Sequence, residues 1–173
     1  MKAKALPMRG HHLLCVLGFR GLGYSEEFIR NMQAVVRRLH NQPQVVLKLE
    51  TGCDVICRAC PYRWGEWCAR RPNASNPEAT DRAVLARLGY SPGQRVRAVR
   101  VFRRVAERIL PQDINKLCPD CEWRVLGSCA AGLRALRKCH GPYGAKSAWS
   151  GAQSICLGKR GVTALPPRRL SDG

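Results

Sequence analysis

The sequence predicts a small α+β domain that is mostly helical, with a minor β element and two cysteine-rich lobes. Apolar residues recur at helical spacing after capping residues, one short segment has the composition of a strand, and the pattern C-x2-C-x7-C occurs twice. We expect residues 1–130 to form this cysteine-rich, metal-binding domain. Residues 131–173 are expected to form a basic C-terminal extension that contains glycine and proline and is partly irregular.

The N-terminal segment places His11, His12 and Cys15 ahead of an apolar run. If the segment is helical, Cys15 shares a face with both histidines, because it follows them by four and three residues. Such a face could supply ligands to a metal held elsewhere in the chain. The alternative is a buried helix whose histidines are hydrogen-bonded and whose cysteine only packs.

A longer helix is predicted from about Glu26 to His40. Ser25 is a good N-cap, and the acidic residues after it suit the positive end of a helix dipole. Apolar residues then follow at helical spacing: Phe28, Met32, Val35, Val36 and Leu39. The next segment, Gln44 to Glu50, reads QVVLKLE and predicts a strand.

The first lobe contains Cys57, Cys60 and Cys68 in the spacing C-x2-C-x7-C. A C-x2-C pair forms a tight turn that aims two sulfurs at one point, and the third cysteine can close over it. Cys53 extends the motif to C-x3-C-x2-C, the spacing of radical-SAM enzymes. The chain is too short for the usual barrel of those enzymes, so we do not assign it to that class. Cys53 could still serve as a spare ligand of the first lobe.

Two helical segments are predicted between the lobes. Asn76-Pro77 begins the first and Gly89 ends it. From Gln94 to Leu110 the pattern is amphipathic, with Val99, Phe102, Ala106 and Ile109 on one face and Arg97, Arg100, Arg104 and Arg108 on another. The arginine face could follow a phosphate backbone, although such a face is more often simply solvated.

The second lobe repeats the cysteine spacing at Cys118, Cys121 and Cys129. Asp113 can cap a short helix ahead of it, and a further helix is predicted through Leu133 and Leu136. Cys139 and Cys156 follow without a partner motif.

The repeated spacing predicts metal or cluster ligation. The candidate ligands are the thiolates of Cys15, Cys57, Cys60, Cys68, Cys118, Cys121 and Cys129, together with His11 and His12. Two four-cysteine sites would need eight thiolates, so a histidine, Cys53 or a non-protein ligand could complete the set. Alternatively, Cys57 and Cys60 could join Cys118 and Cys121 in one zinc-ribbon-like site.

We favour an iron–sulfur cluster, one or two and of the 4Fe-4S type, over zinc as the cofactor. Pro61 follows Cys60 directly, as proline follows a ligand cysteine in ferredoxins. Spacing alone does not separate the two cofactors.

Composition narrows the class of protein. Ten cysteines in a chain without a convincing signal peptide or an apolar span suggest a cytoplasmic metal protein that is neither membrane-bound nor disulfide-rich. The net charge of +18 favours polyanions, so nucleic acid is a partner that the charge permits but that we do not prefer.

Four segments together resemble the bacterial and archaeal family called domain of unknown function 1284. They are Arg9-Gly-His-His-Leu-Leu-Cys15, Gly21-x-Gly-Tyr-Ser-Glu-Glu-Phe28, Asp54-x-Ile-Cys-x-x-Cys-Pro61 and Cys118-x-x-Cys-Glu-Trp123. The resemblance covers roughly residues 8 to 129 and implies iron–sulfur binding at the seven candidate cysteines, with no established reaction. Cys53, Cys139, Cys156 and the tail depart from the family pattern.

Three functions are compatible with the sequence. The preferred one is a small iron–sulfur protein that transfers electrons or carries a cluster and works with a redox partner protein. The alternatives are an enzyme whose three-cysteine cluster leaves one iron open and a zinc-stabilised nucleic-acid-binding module. No catalytic triad, carboxylate pair or nucleotide loop indicates a specific reaction.

Overall fold

The computed structural model describes residues 5–69 and 76–140, and it confirms a small, mostly helical α+β domain. The helices are α1 (His12–Gly18), α2 (Glu26–Asn41), α3 (Pro77–Leu88), α4 (Ala98–Arg108), α5 (Ile114–Leu117) and α6 (Ser128–His140). The strands are β1 (Leu6–Arg9), β2 (Val46–Glu50), β3 (Arg63–Trp64), β4 (Trp67–Cys68) and β5 (Arg95–Arg97). Within those described ranges, no helix is both long and apolar enough to cross a membrane.

The two helices with sequence caps occur where the caps predict them. The Ser25 hydroxyl accepts a hydrogen bond from the Phe28 N–H at 3.1 Å, which fixes the start of α2. Asn76 caps α3 in the same way, and Gly89 ends α3 with φ +71°, a conformation that favours glycine. The starts of α2 and α3 and the end of α3 were therefore readable from local side-chain chemistry.

A three-stranded sheet in the order β1–β2–β5 forms one wall of the core. β1 runs parallel to β2, with Met8 opposite Leu49, and β5 is antiparallel to β2. The predicted strand at 44–50 is present as β2, but β1 and β5 were not predicted. Assigning residues 94–97 to a helical pattern was wrong, because Arg95–Arg97 pairs with β2 before the chain turns into α4.

Helix α4 buries three of the four residues predicted for its apolar face: Phe102, Ala106 and its C-cap Ile109. Val99 is only half-buried, whereas Val101 and Val105 are fully buried beside Phe102. The arginine face is also divided: Arg97 lies in β5, and Arg104 donates to the Leu88 carbonyl and lies 5.1 Å from the Tyr90 ring centroid.

Helices α1 and α6 pack closely where two glycines meet backbone. A Cβ on Gly18 would lie 2.6 Å from Cys129 Sγ, and a Cβ on Gly132 would overlap the Leu17 carbonyl. Leu133 and Leu136 of α6 are fully buried, so this helix crosses the boundary we placed at residue 130. Residues 141–173, including Cys156, lie outside the described residues.

Candidate metal centre

Four cysteines from three separate segments converge beside helix α1, and we call them the second cysteine set: Cys15, Cys118, Cys121 and Cys129. Cys15 comes from α1 and Cys129 from the first turn of α6. The Cys15 thiol donates a hydrogen bond to the sulfur of Cys129. Cys118 and Cys121 are also close enough to raise the pKa of Cys15 electrostatically. The fold therefore joins a cysteine near the N-terminus to the second lobe.

The thiols of this set do not share one acidity. The pKa of the Cys15 thiol lies well above its usual value, because the thiol is hydrogen-bonded to Cys129 and buried. The same bond lowers the pKa of Cys129, with Arg20 adding to the effect, while burial and neighbouring cysteines raise the pKa of Cys118 to about 12. A metal ion must displace these protons, since only thiolates bind it strongly.

A first cysteine set forms around the other lobe: Cys53, Cys57, Cys60 and Cys68. Cys53 is within hydrogen-bonding range of Cys57, and Cys68 is close enough to raise the pKa of Cys53 electrostatically. Burial raises the pKa of the Cys57 thiol, and the nearby carboxylate of Asp54 raises it further. Cys53, which the family resemblance treats as a departure, thus lies among the lobe's other cysteines.

The two C-x2-C motifs adopt the same backbone turn. The Cys60 N–H donates to the Cys57 carbonyl at 3.0 Å, and the Cys121 N–H donates to the Cys118 carbonyl at 3.3 Å. In each motif the residue three positions later then donates to the second cysteine's carbonyl at 3.0 Å. The repeated sequence pattern therefore corresponds to a repeated local structure, and no disulfide occurs in the described residues.

A buried polar network lies between the two cysteine sets and is centred on Arg9. The residue is 1% exposed, and its Nε donates to Asp81 Oδ2 at 2.7 Å. Asp81 Oδ1 also accepts from the backbone N–H of His11 and lies 2.6 Å from His11 Nδ1. Asp81 is fully buried; desolvation opposes its ionisation, but His11 and Arg9 lower its pKa nevertheless.

Asp54 plays the matching part beside the first cysteine set. Its carboxylate accepts from the N–H groups of Arg9, Ile56 and Cys57 and lies 2.8 Å from His12 Nδ1. Burial would raise the pKa of Asp54, but His12 and these hydrogen bonds lower it to about 2. Asp54 thereby fixes the loop that presents Cys57.

Replacing Asp81 with asparagine is expected to destabilise the protein by about 3–5 kcal/mol, because it leaves the buried guanidinium of Arg9 without its counter-ion. Glu78→Gln is the matched control on the same helix. Glu78 pairs with Arg82 at 3.5 Å near the surface, where such pairs contribute about 0.5 kcal/mol or less. Chemical denaturation of both variants measures the difference, and equal midpoints would contradict the role assigned to Asp81.

One compact group in the described residues could hold a metal ion: His12, Asp54 and Cys57 each offer a ligand atom within 4.8 Å of the other two. A tetrahedral zinc ion with bonds of about 2.3 Å would hold its sulfurs about 3.8 Å apart. Among residues 5–69 and 76–140, no three cysteine sulfurs form so compact a group.

A cavity of about 1030 Å³, including its open mouth, separates the two sets and is lined by cysteines from both. Arg9, His11 and His12 also line it, and the two imidazole rings lie 4.4 Å apart. Tyr24 connects the lobes, because its hydroxyl accepts from Trp123 Nε1 at 2.9 Å and its ring contacts Tyr62 edge-on. The two sets thus face a common interior.

The structure sorts the predicted ligands into groups. The seven predicted cysteines divide between the two sets, and the interactions described above link cysteines within each set rather than Cys57 to Cys118. His11 and His12 engage carboxylates through Nδ1. Sequence reasoning missed Arg9, Asp54 and Asp81, although Asp54 stands only three residues before Cys57.

Comparison with known proteins adds a family but no activity. A family model described as Protein of unknown function (DUF1284) matches residues 23–127. Searches of the curated proteins and of the solved structures found no match.

Proposed function

We propose that this chain, which belongs to the DUF1284 family, is an iron–sulfur protein whose two cysteine sets each hold one four-iron cluster. The observation that carries the proposal is the convergence of Cys15 with Cys118, Cys121 and Cys129. With Cys53 in the first set, each site has four thiolates, and the shortfall of one ligand disappears.

The chemistry of the surrounding residues fits a cluster. Arg9 Nη2 is buried and lacks a hydrogen-bond partner among the described residues, while the guanidinium interacts with the Cys57 thiol. Such an unsatisfied cationic donor is costly unless an anionic acceptor lies beside it, and thiolates and cluster sulfides are acceptors of that kind.

The chain's own residues account for how such a site would work. When bound, the clusters would supply one-electron transfer. Arg9 near Cys57, Arg63 near Cys53, and Arg20 near Cys129 offset the negative charge of the thiolates. Four thiolates in each set leave no vacant iron position, which favours electron transfer with a redox partner protein over an enzyme with an open iron site.

The test is the metal content of protein purified without oxygen. We expect a brown protein with about eight iron atoms and about eight acid-labile sulfides per chain. A colourless protein with one or two zinc ions and no sulfide would contradict the proposal and favour the zinc-stabilised module instead.

A further inference from the structure

A short hairpin in the first lobe exposes two tryptophans that the fold does not bury. Strands β3 and β4 pair antiparallel so that Trp64 lies directly opposite Trp67. The side chains of directly opposed residues project from the same face of a hairpin, with Cβ atoms about 5 Å apart. Trp64 is 78% exposed and Trp67 is 72% exposed. The hairpin therefore presents two adjacent indole rings to solvent.

The hairpin has a defined geometry. Gly65 adopts φ +59° in its turn, and Arg63 donates to the Gly65 carbonyl at 2.6 Å and pairs with Glu66 at 3.2 Å. At the base of the hairpin, the Ala69 N–H donates to the Tyr62 carbonyl at 2.8 Å. Two large apolar rings held in this way mark an interaction surface, because exposing them to water is unfavourable.

Charge identifies the kind of partner. Residues 58–71 contain four arginines and one acid, Glu66, in a chain of net charge +18. A second copy of this chain would be repelled, and so would the basic segment 141–173, in which Asp172 is the only acid. The hairpin therefore suits a polyanion that also carries flat, apolar groups.

We propose that the Trp64–Trp67 hairpin binds single-stranded nucleic acid. Each indole offers a face on which a base can stack, and neighbouring arginines such as the exposed Arg58 attract the phosphates. An acidic protein would satisfy the charge but would not need two side-by-side rings. The proposal depends on the exposed rings and the charge of the hairpin, whose second strand also contains Cys68 of the first cysteine set.

The test uses the full-length protein and a fluorescein-labelled oligothymidylate of about 15 nucleotides at 150 mM salt. We expect saturable binding that weakens as salt rises, and quenching of tryptophan fluorescence. Trp64→Ala and Trp67→Ala are each expected to weaken binding about tenfold, because base stacking on one ring contributes about that factor. Val125→Ala, which removes an apolar side chain that is 83% exposed elsewhere, should bind like the wild type.

Three outcomes would overturn the proposal. The first is wild-type affinity in the Trp64→Ala/Trp67→Ala double variant, which would leave charge alone responsible for binding. The second is poly-glutamate competing as well as the oligonucleotide, which would indicate an acidic protein partner. The third is no binding of the oligonucleotide even at low salt. Because both rings are exposed, the variants should retain the wild-type circular dichroism and iron content.

Discussion

Replacing Cys53 with alanine is expected to lower the iron content of anaerobically purified protein from about eight to about four atoms per chain. Cys53 lies within hydrogen-bonding range of Cys57 and near Cys68, so its loss leaves the first cysteine set with three thiolates. The second cysteine set contains no atom of this loop and should keep its cluster. Iron and sulfide analysis of the purified variant measures the change.

Cys139→Ala is the matched control for this experiment. Cys139 lies in the last turn of α6, outside both sets, and its replacement should leave iron content and stability unchanged. Cys15→Ala should remove the other half of the iron, and the Cys15→Ala/Cys53→Ala double variant should bind almost none. If Cys53→Ala retained all of its iron, the first set would consist of three cysteines, and the open-iron alternative would return.

The loss of a cluster should also appear as a loss of stability. A cluster links segments that are distant in sequence, so its binding free energy adds to the free energy of folding. Cys15 and Cys129 are far apart in the sequence and come together only when the chain folds, whereas Cys53 and Cys68 lie in one short segment. Cys15→Ala is therefore expected to lower the denaturation midpoint more than Cys53→Ala does.

The sequence predicted those parts of the fold that depend on local chemistry. Helices α2 and α3 carry their own caps, so their starts could be read from Ser25 and Asn76. Strands β1 and β5 contain only four and three residues and are held by pairing with β2. Such short strands depend on a partner elsewhere in the chain, and a single sequence does not show that partner.

The candidate site was likewise predictable only where its residues are close together in the sequence. The C-x2-C-x7-C repeat revealed three cysteines of each set, because their spacing is local. The fourth cysteine of each set lies outside the repeat: Cys53 precedes the first motif, and Cys15 stands more than 100 residues before the second. The carboxylates of Asp54 and Asp81 carried no spacing signal, since their partners are brought to them by β1 and α1.

Gly18→Ala is expected to disturb both the fold and the second cysteine set. At a helical position alanine is normally about 1 kcal/mol more favourable than glycine, so helix propensity alone predicts that the variant is more stable. Here the new Cβ would lie 2.6 Å from Cys129 Sγ and 2.7 Å from the Cys129 backbone nitrogen. Backbone cannot move aside as a flexible side chain can, so we expect a net destabilisation of about 1–3 kcal/mol.

The cluster should respond because Cys15 lies one helical turn before Gly18, on the same face of α1. Moving α1 away from α6 separates Cys15 from Cys129, so the Gly18→Ala variant should lose up to half of its iron. Gly132→Ala, whose Cβ would meet the Leu17 backbone rather than a sulfur, tests the helix crossing by itself. Gly52→Ala is the control, since no atom lies within 4 Å of its new Cβ.

Combining the two changes distinguishes one shared contact from two separate ones. If α1 and α6 meet at a single close crossing, relief of the first clash also relieves the second. Gly18→Ala/Gly132→Ala should then destabilise the protein by less than the sum of the single variants. Full additivity would show two separate contacts instead. A Gly18→Ala protein with the wild-type denaturation midpoint and iron content would show that this crossing does not position Cys15 against Cys129.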